Sequence, residues 1–224
     1  MKWFLSRSVL LQKVAIYGKI VNDGYKMNPF INLISQFVQL PERDRQILEN
    51  ELKFNTYKVG DKILQQGSIC KNIIFIVGGK ARSFFVNHEG QEFTWNFHFN
   101  DADSKFENYF LLDYNSFLSQ TPTYLTFEVI DDIKVISLNF DDMQKVITNS
   151  AVLQNVLSVM SSIAYQSVHK RAFSLLTQNA KERYLHLIKD EPYLLNKFQH
   201  YLIASYLGVA PQSLSRLRKE IIRS

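Results

Sequence analysis

Cysteine is all but missing from this sequence. Cys70 is the only one in 224 residues, so the chain can build neither a disulfide framework nor a thiolate cluster for zinc or an iron–sulfur centre. Long apolar runs are missing too. The first residues, "MKWFLSRSVLLQKVAIYGKIVN", have an apolar tint, but Arg7, Lys13 and Lys19 interrupt it before a signal-peptide core forms. No uninterrupted stretch elsewhere is long enough to span a bilayer. A reducing, cytoplasmic setting with no membrane partner is the expectation. Residues 1–26 read as a peripheral leader, with Met27 a second candidate start of translation.

Catalytic motifs are the third absence. There is no nucleophile elbow, no phosphate loop and no pair of carboxylates set on one strand. "VGGKAR" holds glycines and a lysine without the spacing of a phosphate loop. "FHFND" sets His98 three residues from Asp101, but no second histidine follows at metal-binding spacing. The chain therefore reads as no enzyme, with no metal and no cofactor.

What is present is an uneven charge. The net charge is +5, yet residues 28–164 carry 11 Lys+Arg against 16 Asp+Glu, whereas residues 165–224 carry 10 against 4. The basic character belongs to the ends of the chain.

Periodicity changes with the charge. A helix is expected over Leu40–Leu52. From about Phe54 short alternating runs take over, "FNTYKVG", "DKILQQG", "NIIFIVGG", "KARSFFVN", "QEFTWNFHF", "YLTFEVID" and "DIKVISLN", with turns expected near Gly60, Gly67, Gly78, Gly79 and Gly90. In the fifth run Phe93, Trp95, Phe97 and Phe99 share one face and His98 lies on the other, which reads as outward. Many short strands imply an antiparallel barrel or jelly roll. After Asn139 the pattern is helical. A short helix is expected over 141–148 and a long one from Ala151 to about Leu176, where Leu153, Val156, Met160 and Ile163 form a seam that suggests a dimer interface.

The last stretch, "QHYLIASYLGVAPQSLSRLRKEI", has the spacing of a helix-turn-helix. Ala204 suits a close helix crossing, and Gly208 a turn that needs a positive φ. Pro211 suits the first turn of the second helix, and Ala210 is a weak N-cap. Leu214 and Leu217 belong to the buried side. On the opposite side Gln212 and Arg216 are placed to read base edges, since Gln pairs with adenine and Arg with guanine. Ser205, Ser213, Ser215 and Lys219 would flank them along phosphates, with Lys197 and Arg218 as further basic groups.

In this order, barrel, long helix and helix-turn-helix, the chain resembles the catabolite-activator and fumarate-nitrate-regulator (Crp/Fnr) family, and in tone the group common in Bacteroidetes-type bacteria. The resemblance is carried by "YKVGDKILQQGS", "IIFIVGGKARSFF", "NHEGQEF" and "IASYLGVAPQSLSRLRK". It implies an α+β fold: a cyclic-nucleotide-binding-like jelly roll over 27–149, a dimerisation helix over 150–177 and a helix-turn-helix domain over 178–224. It also implies a homodimer that binds inverted-repeat double-stranded DNA and acts on RNA polymerase. The family's base-reading positions fall on Pro211, Gln212 and Arg216, and proline supplies no polar side chain. The family's Gly-Glu and Arg-Ser cassette for a cyclic phosphate has no counterpart in "FENYFLLDYNSFLSQTPTYLTF", because no arginine lies between Arg82 and Arg171 and Asp101, Asp103, Glu107 and Asp113 crowd the region. Cyclic AMP through that cassette is therefore not expected, and any small-molecule effector is unidentified. Haem ligation by His88, His98, His169, His186 or His200 is not expected either. Two rival readings keep the fold: a degenerate regulator acting through a protein partner, and a small-molecule-binding jelly roll without DNA binding.

Overall fold

The computed structural model describes residues 28–223, and the expected leader, 1–26, lies outside them. Asn28 starts the first helix. Its side chain accepts from the Phe30 N–H at 2.9 Å, and Pro29 occupies the first turn, where no N–H is needed. This helix, α1 (Pro29–Ser35), buries Phe30, Ile31, Leu33 and Ile34; it is an element that the sequence reading did not draw. Helix α2 (Glu42–Glu51) leads into the sheet.

Strands β1 (Lys53–Tyr57), β2 (Lys62–Leu64), β3 (Asn72–Val86), β4 (Glu92–Phe99), β5 (Phe110–Leu111) and β6 (Thr126–Asn139) form one antiparallel sheet in the order β1-β6-β3-β4, with β2 on β6 and β5 on β3. Helix α3 (Tyr114–Ser119) lies between β5 and β6, capped by the Asp113 carboxylate. Helices α4 (Phe140–Asn149) and α5 (Ala151–Thr177) follow, each capped by the side chain before it: Asn139 accepts from Asp142 N–H and Ser150 from Leu153 N–H. Among the described residues no helix is long and apolar enough to cross a membrane.

Two expectations about the strands are corrected. "NIIFIVGG" and "KARSFFVN" are one 15-residue strand, β3, and "YLTFEVID" and "DIKVISLN" are one 14-residue strand, β6. Gly78 and Gly79 bulge the strand instead of turning it, because the register against β6 shifts at Gly78 and again before Lys80. Gly79 has φ +93°, and a Cβ there would collide with the carbonyl oxygen of Asp132. Only glycine lets the two long strands cross so closely.

The faces of β4 are also reversed. His98 is buried, with Nε2 2.9 Å from Ser83 Oγ and its ring 6.3 Å from that of Phe127. Phe97 and Phe99 belong instead to a second core built with the C-terminal helices. Alternation separates the two sides of a strand without saying which one faces the barrel, and here a second layer covers the outside. The register also skips Trp95, pairing Ser83 with Asn96 and Phe84 with Thr94, which puts Thr94 on the Phe97 side.

A third correction concerns α5. Leu153, Val156 and Met160, expected as a dimer seam, are buried in the same core as Phe75, Ile76 and Phe127, and Ile163 is half-buried. The stripe packs on the protein's own barrel, as an apolar face next to an apolar sheet must. Cys70 is buried nearby, and burial pushes its thiol up to about 11, so it is a small apolar core residue without thiolate reactivity.

Two predictions follow from this packing. Gly60 and Gly79 both have positive φ, but only Gly79 meets backbone. Gly79→Ala should cost about 2–3 kcal/mol and Gly60→Ala about 1 kcal/mol in urea unfolding, and equal costs would contradict the close crossing. Burial lowers the His98 pKa to about 3 from its ordinary 6.5, against a smaller pull from the Phe110 backbone. Between these pH values the unfolded chain takes up a proton that the folded chain refuses, so stability present above pH 6.5 falls as the pH drops. His98→Leu should remove up to about 1.4 kcal/mol per pH unit of that slope. Urea midpoints at pH 7 and pH 5 check it, and an unchanged slope would contradict a buried neutral imidazole.

Candidate nucleic-acid interface

The chain after α5 makes four helices among the described residues: α6 (Ala180–Asp190), α7 (Leu194–Lys197), α8 (His200–Leu207) and α9 (Pro211–Arg223). Asn179 and Glu182 close a capping box at the start of α6. "EPYLLNKFQ" holds the short α7, and no strand follows β6 among the described residues.

Helix α8 ends at Gly208, with φ +67°. The Val209 N–H donates to the Ala204 carbonyl at 3.0 Å and the Gly208 N–H to the Ser205 carbonyl at 3.1 Å, the pairing that closes a helix around a left-handed residue. Gly208 is needed for a second reason: a Cβ there would lie 2.9 Å from Phe93 Cε2 on β4. Two guanidinium groups complete the end of α8. Arg183 Nε donates to the Leu207 carbonyl at 3.0 Å, and Arg171 Nη2 donates to that of Tyr206, so carbonyls left over by the helix are satisfied.

Helix α9 then shows two sides. Leu214 is fully buried, Leu217 and Ile221 are half-buried, and Ala204 of α8 is fully buried at the crossing. Gln212, Ser213, Ser215, Arg216, Arg218 and Lys219 are exposed. Ser215 Oγ donates back to the Pro211 carbonyl at 3.1 Å. Gln212, Arg216 and Lys219 make no hydrogen bond or ion pair within the described residues. A Lys181–Glu220 pair at 2.5 Å ties α9 to α6 on another side. The side chains of the base-reading pair expected from sequence are thus free, exposed and one turn apart on α9.

Ser205 is corrected. Its hydroxyl accepts from Thr94 N–H at 2.8 Å and from Thr94 Oγ1 at 3.1 Å, and donates to the Glu92 carbonyl at 2.9 Å. It is fully used by the barrel and has nothing left for a phosphate. Lys197 is corrected as well: it pairs with Asp101 at 2.6 Å and Asp103 at 3.0 Å. The helical period alone could not show that α8 turns this side to β4.

The junction between barrel and terminal helices contains residues that sequence reasoning missed. Phe97 stacks on Phe198 with ring centroids 4.0 Å apart and lies 5.2 Å from Tyr206. Arg82, only 4% exposed, pairs with Glu92 and Glu128, each at 2.6 Å, and reaches Thr94 Oγ1 at 3.5 Å. Lys105 pairs with Glu191 at 2.8 Å. Arg171 lies 3.8 Å over the Tyr206 ring; burial works against its charge, offset by the fields of Tyr206 and Glu191. Burial also pushes the Tyr206 hydroxyl well up. The one available signal was that Arg82 and Arg171 bound a long stretch without arginine. Among the described residues no three His, Cys, Asp or Glu side chains come together to hold a metal.

No protein-family model matches the sequence, and no curated protein does. Solved structures match the fold over most of the chain. FixK2 from Bradyrhizobium japonicum superposes with a TM-score of 0.64 at 17% identity, over 77% of this chain and 85% of its own. CLP of Xanthomonas campestris, a c-di-GMP responsive global regulator, gives 0.63 at 11% identity, over 82% and 92%. A transcriptional regulator assigned to the crp/fnr family from Eubacterium rectale gives 0.62 at 17% identity, over 86% of each chain. The chain therefore has the fold of Crp/Fnr-type regulators: an N-terminal antiparallel jelly roll, a long helix and a C-terminal helix-turn-helix.

Proposed function

We propose that this protein is a transcription regulator, not an enzyme, that reads double-stranded DNA with α9 and does so as a homodimer on inverted repeats, with RNA polymerase as the partner it acts upon. The observation that carries the reading is the unpartnered polar side of α9. Gln212 and Arg216 stand exposed at its start and one turn on, while Leu214 on the opposite side is sealed in the core. A helix held this way fits a major groove, with Gln212 and Arg216 towards base edges and Ser213, Ser215 and Lys219 along phosphates. Without a strand hairpin after α6, backbone contacts fall to α9 and its neighbours, Arg218 included.

Dimerisation is assigned to the outer side of α5. Ser158, Ser162, Tyr165, His169, Phe173 and Leu176 recur at three- and four-residue steps, all exposed. Tyr165 is 70%, Phe173 60% and Leu176 85% exposed, and His169 stands between Tyr165 and Phe173 with ring centroids 6.1 and 6.4 Å away. Such a row on one helix suits a two-fold axis that brings it against itself. The barrel-facing stripe at Leu153, Val156 and Met160 is already occupied.

Arg216→Ala should cost about 1–3 kcal/mol on a preferred duplex and relax the preference at one base pair per half-site, whereas Lys219→Ala should weaken all sequences alike and lower the salt slope by about one. Titrations on preferred and random duplexes compare them; equal losses on both duplexes for both variants would remove Arg216 from base reading. Tyr165→Glu with Phe173→Glu should give a folded monomer in sedimentation, while Met160→Ala should cost about 2–5 kcal/mol of stability and leave the dimer. A dimer that survives the double substitution would refute this seam.

A further inference from the structure

The polar side of α9 has one apolar corner. Ala210, Pro211 and Gln212 follow one another at its leading end, and all three are exposed. Ala210 is the N-cap: its carbonyl accepts from the Leu214 N–H at 3.1 Å, at a position where Ser, Thr, Asp or Asn is favoured. Pro211 fills the first helical position with a ring and no N–H. Two neighbouring side chains at this end are therefore hydrocarbon alone. Beside them stands the free amide of Gln212, and one turn on from that the free guanidinium of Arg216. The first residues of a recognition helix are the ones that meet base edges, so the apolar corner lies where sequence is read.

In the major groove the base edges offer one apolar group, the C5-methyl of thymine. Every other group there is a donor or an acceptor. Pressed against guanine O6 and N7, adenine N7 or the cytosine amino group, the Pro211 ring would strip water from a polar atom and return no hydrogen bond. Only the methyl gains by the contact, since both surfaces leave water together. An apolar residue at this place selects twice, by favouring thymine and by penalising the other bases.

We propose that Pro211, with Ala210 beside it, reads the C5-methyl of a thymine in each half-site, in the same groove as the bases that Gln212 and Arg216 read. This role rests on the DNA-binding reading and names a further group of the DNA that α9 recognises. It differs from that of a residue that only starts a helix, because a helix start uses the fixed φ and the missing N–H and is indifferent to the base.

Titration of the full chain tests this on the inverted repeat that it enriches from random duplexes, with deoxyuridine placed for thymidine at one symmetric pair of positions at a time. Deoxyuridine pairs as thymidine does and lacks only the methyl. At one such pair the replacement should weaken binding about fourfold for each methyl lost, and so about tenfold or more for the two half-sites together. Pro211→Ser should bind the thymidine and deoxyuridine duplexes within about twofold of each other. The first comparison uses the native chain and holds even if Pro211→Ser fails to fold. An enriched repeat in which no replacement weakens binding, or a Pro211→Ser variant that loses affinity for both duplexes and keeps their ratio, would overturn the role of Pro211 and leave the DNA-binding reading standing. A chain that enriches no sequence would overturn that reading and this role with it.

Discussion

The stacking of Phe97 on Phe198 is the contact on which the arrangement of this protein turns. Phe97 and Phe99 stand on the outer side of β4, where a lone barrel would expose them, and they close a core with Leu187, Leu202, Leu207 and Leu214. Most of this core comes from the terminal helices themselves, and β4 adds Phe97 and Phe99 to it. The terminal helices are thereby held to the barrel by packing as well as by the chain that links them.

Around that core the polar groups are matched with little left over. Arg82 pairs with Glu92 and Glu128 and reaches Thr94, Thr94 binds Ser205, and Ser205 returns to the Glu92 carbonyl. Removing a partner of the buried Arg82 or Thr94 costs more than the bond contributes, because these two stay desolvated. Lys105–Glu191 and Lys197 with Asp101 and Asp103 reinforce the edge. Two carboxylates of the acidic loop that argued against a cyclic phosphate, Asp101 and Asp103, thus hold Lys197 of the terminal helices.

Much of this was legible in the sequence where a local rule has one solution. Gly208 at a positive φ, Ala204 at the crossing, Pro211 at the helix start and the opposed sides of α9 all follow from spacing and are found as expected. The failures share one cause. Gly78 and Gly79, the inward side of β4, the apolar stripe at Leu153, Val156 and Met160, and the free hydroxyl expected of Ser205 each depend on which neighbour covers a face. Periodicity shows that a face is apolar or that a backbone is special; it does not show whether a barrel, a second chain or a terminal helix lies against it. The roles of Arg82 and Arg171 stayed hidden for the same reason, since a cation that the fold covers looks like a surface cation until its partners are known.

The central claim is that α9, held rigidly on the barrel, reads DNA from a two-fold dimer. Selection of randomised duplex DNA by the purified full chain at near-physiological salt, with no ligand added, tests it most directly. The account predicts an enriched inverted repeat whose half-sites lie about one helical turn, or a whole number of turns, apart. Recovery of unselected sequence, or of a single half-site without its inverted mate, would contradict it.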